Sequence, residues 1–437
     1  MLSGLADVAI GNELDTLKKQ VMMHSSAFWQ QSGEERAMKR RVAVVFGSRS
    51  VEHEVSIITA VQAMNTLDEE RFEAVPVYVA KDGLWYTGSL LKTMDAFQDL
   101  GSIPSRAQRI SLRPFSGRMT LSVESPRHGL AAHGVDTTPL GVDVALLCNH
   151  GTNGEDGTMQ GMFELLGIPY TGAGVTGSAL GMDKVLQKKV FLQAGIPVVP
   201  HVAFSRRAWL ENPNDCLVLA EQHLRYPMFV KPANLGSSVG ISRATDRETL
   251  RYAVDVASHF DRKLLVEQAV LNPREVNCAV LGNDNVVASA CEEVFSTHAF
   301  LDYDAKYRVG YKASDRAVGV EKGEARHVPA ELGEELTRRV QNLACQAFSA
   351  LDCRGVARVD FLIDESQVVF VNEINTIPGA LSYYLWEAAG MRYQDLLSRT
   401  IDLALEAFHD RKSNIVTYDV SDLLQLGSRG KSGSKNR

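Results

Sequence analysis

The chain has few cysteines, no long apolar run and no excess of basic residues, and each absence excludes a class of protein. Its six cysteines among 437 residues form no C-x-x-C pair, which excludes a disulfide scaffold and favours reduced thiols. No apolar stretch approaches the roughly 18 residues that a membrane-spanning helix requires. The net charge of −7 disfavours binding to a nucleic-acid backbone. We therefore expect a cytoplasmic protein with no nucleic-acid and no membrane partner.

The remaining composition is that of a globular protein with several domains. Hydrophobic residues make up 45% and charged residues 23%, and the length corresponds to two to four domains of about 150 residues. Residues 1–37 lack the apolar core of a secretory signal, and Met38 stands just before a predicted strand. We interpret 1–37 as an N-terminal extension and 412–437 as a tail that is too polar at its end to order itself.

Strands and helices alternate through the first part of the chain. Val42–Phe46, Ala74–Val79 and Val142–Cys148 are predicted strands, and Ser56–Leu67 is a predicted helix. This alternation predicts a parallel α/β layer similar to a mononucleotide fold. After about residue 178 the pattern changes to α+β. The elements predicted there are helices at Met182–Ala194, Ala330–Leu351 and Tyr393–Phe408 and strands at Met228–Val230, Val239–Ser242, Leu264–Gln268 and Cys278–Leu281.

The strongest chemical pattern lies on a predicted β-hairpin formed by Ala357–Ile363 and Val368–Asn375. Pairing of Ile363 with Val368 would place one polar set of side chains on a single face and an apolar set on the other. The polar set is Arg358, Asp360, Glu373 and Asn375, and the apolar set is Val359, Phe361, Ile363, Val368 and Phe370. Such oxygen ligands suit Mg²⁺ or Mn²⁺. The alternative is an exposed polar strand face with a surface salt bridge.

A second pattern is the small-residue loop at residues 229–240, which lies between two short predicted strands. Its backbone N–H groups and hydroxyls can bind phosphate oxygens, and Lys231 adds a positive charge. A merely flexible hairpin is the alternative. Gly236–Gly240 also matches the G-x-S-x-G motif of hydrolases, but the strand-like residues 241–245 follow where that motif needs a helix. We therefore reject an esterase.

Two polar loops follow predicted strands of the first domain. Glu52 and His53 lie in the loop after the first strand, and His150 and Glu155 lie in the loop after the third. Open α/β sheets bind ligands at the carboxyl ends of their strands, so we expect these side chains at one sheet edge. For either loop alone, a turn with a helix cap is the alternative.

Taken in order, these motifs resemble those of the D-alanine–D-alanine ligases, a family of ATP-grasp enzymes, from about Arg41 to Phe408. The matching segments are Val51–Ser56, His150–Gly157, Met182–Lys184, Val230–Gly240, Tyr303–Tyr307, Arg358–Asp360 and Asn372–Gly379. The resemblance implies an α/β and α+β fold with a three-domain ATP-grasp architecture. Its parts would be an N-terminal substrate-binding domain with a mononucleotide-fold-like parallel sheet at 38–178, a central ATP-grasp subdomain at 179–262 and a C-terminal subdomain at 263–411 with a lid loop at 293–320.

The resemblance also implies a role for each site residue. The catalytic residues would be Glu52, Ser237, Tyr307, Arg358 and Gly379. ATP would be bound by Lys184, Lys231, Gly236, Ser238, Glu267, Gln268, Val270, Glu275 and Lys306. The substrate amino acids would contact His150, Glu155, Ser382 and Tyr384. Two Mg²⁺ or Mn²⁺ ions would be held by Asp360, Glu373 and Asn375.

The segment after Pro378-Gly379 departs from the family pattern. Family members place a serine five residues beyond this glycine to bind the acceptor carboxylate, and here that position is Tyr384. The implied function is ATP-dependent ligation of two D-alanines through an acyl phosphate, for peptidoglycan precursor synthesis. One alternative is an ATP-grasp ligase with another amino-acid acceptor, and a second is a non-catalytic nucleotide-binding regulator, which the intact Arg358 opposes. ATP and D-alanine are the expected small-molecule partners, and a homodimer is compatible with the sequence.

Overall fold

The computed structural model describes residues 39–116, 118–126, 134–296 and 324–415. The N-terminal extension, nearly all of the lid loop and nearly all of the tail lie outside these ranges. The predicted site residues Lys306 and Tyr307 lie outside them as well.

The described residues form three β-sheets. The first has seven strands in the order β6-β5-β4-β3-β2-β1-β7. Only β2, β1 and β7 run parallel, and the other pairs are antiparallel, so the predicted parallel layer covers three strands of a mixed sheet. The strands are Arg40–Gly47 (β1), Phe72–Val79 (β2), Trp85–Thr87 (β3), Gln108–Phe115 (β4), Arg118–Pro126 (β5), Val135–Pro139 (β6) and Val144–Leu147 (β7).

The second and third sheets have four and five strands. The four-stranded sheet has the order β10-β9-β11-β8, and the five-stranded sheet has the order β14-β13-β12-β15-β16. The four strands are His201–Ser205 (β8), Met228–Pro232 (β9), Ser242–Ala244 (β10) and Lys263–Gln268 (β11). The five are Arg274–Gly282 (β12), Val286–Ser296 (β13), Glu324–His327 (β14), Gly355–Ile363 (β15) and Val369–Asn375 (β16). The boundary that we expected between the central and C-terminal subdomains, at residues 262 and 263, falls just before β11. The division into subdomains stays a prediction.

Helices cover the faces of these sheets. The α-helices in the described ranges are His53–Thr66 (α1), Ile103–Arg106 (α2), Thr158–Leu166 (α3), Val175–Met182 (α4), Lys184–Gln193 (α5), Arg206–Glu211 (α6), Pro213–His223 (α7), Arg247–Phe260 (α8), Glu334–Ala350 (α9), Tyr383–Ala388 (α10) and Tyr393–Lys412 (α11). Short 3₁₀ helices occur at Ser89–Lys92, Met94–Phe97, Leu100–Ser102 and Gly379–Ser382. None of the helices in these ranges is both long and apolar enough to cross a membrane.

One hydrophobic core contains residues from both ends of the described chain, the strand β1 and the helix α11. Residues 42–46 of β1 are fully buried, as expected for a strand covered on both faces. Leu396 and Ile401 of α11 belong to the same buried cluster. The last helix therefore packs on the N-terminal domain, and this packing fixes the C-terminal part of the cleft against the first sheet.

A β-bulge shapes the predicted metal face. Ile363 pairs with Val369 instead of Val368, and an irregularity lets Asp360 lie opposite Glu373 and Arg358 opposite Asn375. The additional residue of β16 is Asn372, which lies between two paired positions. The predicted polar face is preserved, but the apolar prediction was wrong for the second strand. The buried residues there are Val369 and Val371, not Val368 and Phe370, because the bulge reverses the alternation along β16.

Two local predictions differ from the structure near the cleft. The helix predicted over Met182–Ala194 is interrupted at Asp183, whose Oδ1 accepts hydrogen bonds from the backbone of the next helical turn at 3.1 Å. Lys184 is therefore the first residue of α5. The strand predicted over Val239–Ser242 begins only at Ser242, since Val239 N–H donates to the Gly236 carbonyl within a turn.

Candidate functional site

Polar residues of the second and third sheets, of α5 and α10 and of the loops after β1 and β9 meet in one cleft. We call Lys184, Lys188, Lys231, Glu267 and Glu373 the nucleotide end of the cleft. We call the turn 379–382 together with Tyr384, Glu292 and Asn277 the acceptor end. The loop 236–238 is called the flap.

Lys184 connects the residue just before the flap to the β15–β16 hairpin. Its ammonium donates to the Leu235 carbonyl at 2.9 Å and forms an ion pair with Glu373 Oε2 at 2.9 Å. Burial alone would raise the pKa of the Glu373 carboxyl, but Lys184 and Lys231 outweigh burial and lower this pKa to about 2. Glu373 is therefore an anion within a group of cations, which a bound triphosphate would have to share.

Glu267 lies between two lysines in the interior. Its carboxylate is 2.7 Å from Lys188 Nζ and 2.6 Å from Lys231 Nζ. Burial opposes ionisation, yet the two ammonium groups lower the pKa of Glu267 to about 2. Lys231 also donates to Asn372 Oδ1 at 3.2 Å, and Lys188 donates to the Asn372 carbonyl at 3.2 Å. The bulge residue thus completes a ring of four groups.

The residues expected to hold metal ions occupy one face of the β15–β16 hairpin. Arg358 donates two hydrogen bonds to Asp360, at 2.6 and 2.8 Å, and Asn375 donates a third at 3.0 Å. Burial raises the pKa of Asp360, and the neighbouring Glu373 adds to this rise. In the described part of the chain, no three His, Cys, Asp or Glu side chains come together as a metal site. Two carboxylates and one amide suit Mg²⁺ or Mn²⁺ only when substrate phosphates complete the coordination.

The flap contacts the loop that follows β1. Ser237 Oγ donates to Glu52 Oε1 at 2.5 Å. A Cβ atom at Gly236 would lie 2.8 Å from Glu52 Oε2, and one at Gly151 would lie 2.5 Å from the same oxygen. A side chain at either glycine would displace the Glu52 carboxylate, around which the flap, the first loop and the third loop meet.

His150 and Glu155 form hydrogen bonds with other residues of the protein. His150 Nε2 lies 2.9 Å from Thr59 Oγ1, and burial lowers the pKa of the imidazole to about 4. Glu155 accepts from the backbone N–H groups of Gly151 and Ile377, each at 2.8 Å. Burial and the nearby Glu52 raise the pKa of Glu155. These contacts join the third loop to the segment after β16, and substrate binding by the two residues stays a prediction.

The acceptor end contains a buried carboxylate that the sequence did not reveal. Glu292 is 1% exposed and accepts from Tyr384 Oη at 2.6 Å and from Asn277 at 2.9 Å. Burial raises the pKa of Tyr384, so the phenol stays protonated and donates its single proton to Glu292. Arg326 lies 3.7 Å from Glu292 and over the Tyr384 ring.

The turn before Tyr384 is strained. Ala380, Leu381 and Ser382 have φ values of 47°, 54° and 52°, an unusual run of non-glycine residues in the left-handed region. Ser382 is fully buried, and within the described ranges its Oγ has no hydrogen-bond partner. A Cβ at Gly379 would meet nothing within 4 Å. The turn therefore presents open space beside Gly379 and a hydroxyl that is not used by the described residues.

Three of the residues expected to bind ATP, Gln268, Val270 and Glu275, lie on β11, on β12 and in the loop between them. Gln268 Oε1 accepts from the Arg225 backbone at 3.2 Å, and Val270 is half-buried in the loop between the strands. Glu275 is exposed and lies two residues before Asn277, on the same face of β12. Their roles in binding ATP stay predictions.

Sequence reasoning missed Lys188, Asn372 and Glu292 as parts of the site. Lys188 could have been found, because it lies four residues after Lys184 and therefore on the same face of a helix. Asn372 lies within a recognised motif, but its function in the ring depends on the bulge. Glu292 has no local signal, since its partner Tyr384 is 92 residues away.

A cleft between two antiparallel sheets, closed by a glycine-serine flap and lined by lysines opposite a carboxylate hairpin, defines an ATP-grasp enzyme. Family models described as D-ala D-ala ligase N-terminus and D-ala D-ala ligase C-terminus match residues 41–173 and 190–402. The chain belongs to the D-alanine–D-alanine ligase family.

Relatives and solved structures agree with this assignment. The D-alanine–D-alanine ligase of Thermosipho africanus is 39% identical over 87% of this chain and 97% of its own length, and that of Heliobacterium modesticaldum is 41% identical over 86% and 98%. The D-alanine-D-alanine ligase structure from Coxiella burnetii has a TM-score of 0.69 at 29% identity and covers 90% of this chain and all of its own. The VanG D-Ala:D-Ser ligase from Enterococcus faecalis has a TM-score of 0.70 at 29% identity, over 84% and 100%.

Proposed function

We propose that the protein joins two D-alanine molecules into D-alanyl-D-alanine, a unit of peptidoglycan precursors, and uses ATP to activate the first carboxylate. The observation that carries this proposal is the cleft itself. It brings the Glu52–Ser237 pair, the lysines of the nucleotide end and the Arg358 hairpin into one site. We place this reaction in the cytoplasm, where ATP is supplied.

Activation is needed because a carboxylate is a poor electrophile toward an amine. The donor carboxylate oxygen attacks the γ-phosphorus of ATP, ADP leaves, and an acyl phosphate results. Lys184 and Lys231 hold phosphate oxygens in this step, and both are now paired with carboxylates. Binding of the triphosphate therefore exchanges protein anions for phosphate oxygens and does not require new positive charges in the site.

Asp360, Glu373 and Asn375 are the residues that would hold divalent ions, which we propose to be two Mg²⁺ or Mn²⁺ ions. When bound, such ions neutralise charge on the phosphates. The two carboxylates lie directly opposite each other across the hairpin, which is the donor chemistry that these hard cations prefer.

The donor amino acid is held by the first domain. Glu52 supplies a carboxylate for the ammonium group of the donor, and Ser237 keeps this carboxylate oriented from the flap. Because the same serine belongs to the flap that covers the phosphates, donor binding and flap closure are linked. The closed flap also keeps water away from the acyl phosphate, which water would otherwise hydrolyse.

The acceptor amine then attacks the acyl carbon. The carbonyl oxygen gains negative charge, and Arg358 with the backbone N–H of Gly379 stabilises this oxyanion. The C–O bond to phosphate breaks, phosphate leaves with one oxygen of the donor carboxylate, and the amine loses a proton as the peptide bond forms.

The acceptor carboxylate needs a hydrogen-bond donor, and we propose that the Tyr384 hydroxyl does not supply it. Its single proton is already donated to Glu292. Ser382 has a hydroxyl that no described residue uses. We therefore propose that Ser382 binds the acceptor carboxylate and that Tyr384 holds Glu292 in position through its hydrogen bond.

Isotope transfer tests the proposal directly. D-Alanine labelled with ¹⁸O in its carboxylate is incubated with ATP and Mg²⁺, and the released phosphate and the dipeptide are analysed by mass spectrometry. One labelled oxygen should appear in phosphate for each D-alanyl-D-alanine formed. Dipeptide without labelled phosphate would rule out the acyl phosphate, and ATP hydrolysis without dipeptide would rule out ligation.

A different acceptor is the second candidate function, because of the Tyr384–Glu292 pair. A tyrosine and a buried carboxylate reshape the space beside Arg358. A structurally similar protein is described as a D-Ala:D-Ser ligase, so the acceptor is open to change within the fold. Competition between amino acids distinguishes the two candidates.

A further inference from the structure

A buried lysine with no assigned role touches both sides of the nucleotide end. Lys188 is 1% exposed and lies on α5, one turn after Lys184. Its ammonium contacts Glu267 of the four-stranded sheet and the Asn372 carbonyl of the five-stranded sheet. Burying an ammonium group is costly unless it is paired, so these contacts determine where the side chain lies.

The ring formed by Glu267, Lys188, Asn372 and Lys231 is closed. Asn372 contributes its carbonyl to Lys188 and its side chain to Lys231, and both lysines contact the Glu267 carboxylate. The bulge at Asn372 makes this possible, since the additional residue leaves the regular ladder of β15 and β16. The ring therefore links the two sheets that enclose the nucleotide.

The two lysines of the ring are not equivalent. Lys231 is 12% exposed and lies in the strand that leads into the flap, whereas Lys188 is completely enclosed. A triphosphate in the cleft can therefore draw Lys231 away from Glu267, but it cannot reach Lys188 in the same way. Once ATP is bound, Lys188 is the cation that keeps the Glu267 carboxylate ionised and in place.

Glu267 retains capacity for a ligand. Its Oε1 is in contact with Lys188 Nζ at 2.7 Å, and no other described residue donates to this buried oxygen, which can accept two hydrogen bonds. An ionised carboxylate oxygen with an open acceptor position favours an N–H donor and repels a carbonyl oxygen. The amino group of adenine is such a donor, and hypoxanthine carries a carbonyl oxygen at the same position.

We propose that Lys188 is a positioning residue for nucleotide recognition, which acts by holding Glu267 ionised against the adenine amino group. This inference rests on the proposed function of the cleft. Lys188 itself touches neither substrate.

The test compares four forms of the full chain: wild type, Lys188→Met, Lys188→Arg and Lys189→Met. Lys189 is the neighbouring lysine on α5 and is exposed, so its substitution is the matched control. Binding of ATP and of ITP is measured by calorimetry in the presence of Mg²⁺ and without amino acid. The Michaelis constants for ATP and for D-alanine are measured in the complete reaction, with ATP and D-alanine both present.

Lys188→Met should weaken ATP binding by about ten- to a hundredfold, the effect of losing an interaction with a charged group. It should reduce the preference for ATP over ITP and leave the Michaelis constants for D-alanine unchanged. Lys188→Arg should recover part of the preference, and Lys189→Met should match wild type.

In a Glu267→Gln background, adding Lys188→Met should change the preference for ATP little further, because the carboxylate that it positions is gone. A folded Lys188→Met protein with the wild-type ATP preference would overturn the proposal. If Lys188→Met does not fold, Lys188→Arg takes its place, and a Lys188→Arg protein with the wild-type affinity for ATP and the wild-type preference for ATP over ITP would overturn the proposal. Nucleotide binding without dipeptide formation by wild type would instead contradict the proposed function.

Discussion

The nucleotide end and the acceptor end of the cleft are held together by different forces. At the nucleotide end, buried and half-buried lysines and carboxylates pair with each other. At the acceptor end, a strained turn is held by hydrogen bonds from neutral groups, such as Ala380 N–H to Thr59 Oγ1 at 3.1 Å. The nucleotide end therefore exchanges charges when ATP binds, and the acceptor end presents a shape. Substitutions at the nucleotide end should therefore change turnover and ATP binding, whereas substitutions at the acceptor end should change the binding of the acceptor amino acid.

The largest effect is expected for Glu373→Gln. The substitution preserves the shape of the side chain and removes a negative charge beside the phosphates. Turnover at saturating Mg²⁺ should fall by at least about a hundredfold, while circular dichroism and the melting temperature stay close to wild type. Glu365→Gln, an exposed position on the same hairpin, is the control. Near-wild-type turnover of Glu373→Gln would exclude the metal role of this residue.

Ser382→Ala should act on the acceptor alone. If its hydroxyl donates to the acceptor carboxylate, its loss should raise the acceptor Michaelis constant by about ten- to a hundredfold. The constants for ATP and for the donor D-alanine should stay unchanged. Initial rates over a wide range of D-alanine separate the two amino-acid sites. An unchanged acceptor constant would show that the carboxylate is bound elsewhere.

Tyr384→Phe should have a smaller effect of the same kind. The substitution removes one hydrogen bond from the buried Glu292, so the acceptor Michaelis constant should rise by about three- to tenfold. Tyr383→Phe, which removes a neighbouring phenol hydroxyl, serves as the control. If Tyr384→Phe weakened the acceptor more than Ser382→Ala, the tyrosine hydroxyl would be the carboxylate ligand.

The smallest effect concerns pH and stability. Burial lowers the pKa of His150 to about 4, so between pH 4 and 6.5 the unfolded chain binds a proton that the folded protein does not. The stabilising contribution is complete above pH 6.5 and is lost as the pH falls, by about 1 kcal/mol from pH 6 to 5. Urea unfolding at pH 6 and at pH 5 gives the free energy of unfolding at each pH. His150→Gln should lose about 1 kcal/mol less of this free energy than wild type between the two pH values. The exposed His223→Gln should lose as much as wild type, and equal pH dependence in all three proteins would contradict the assignment.

The two ends also differ in how much of them the sequence could predict. At the nucleotide end, the motifs around Lys184, Lys231 and Glu373 predicted the cleft, because each motif carries its residues in a fixed local geometry. Alternation with period 2 could not reveal the bulge at Asn372, since it assumes that no residue is added to a strand. At the acceptor end, Tyr384 was recognised as a departure, but Glu292 comes from another strand. Pairs that form only through tertiary structure leave no local pattern.

The identity of the acceptor is the most direct test of the account. The protein is incubated with ATP, Mg²⁺ and an equimolar mixture of D-amino acids that includes D-alanine and D-serine, and the dipeptides are identified by mass spectrometry. We predict D-alanyl-D-alanine as the main product. Preferential formation of a dipeptide with another acceptor would show that the Tyr384–Glu292 pair selects a different amine, and would contradict the assignment of two D-alanine substrates.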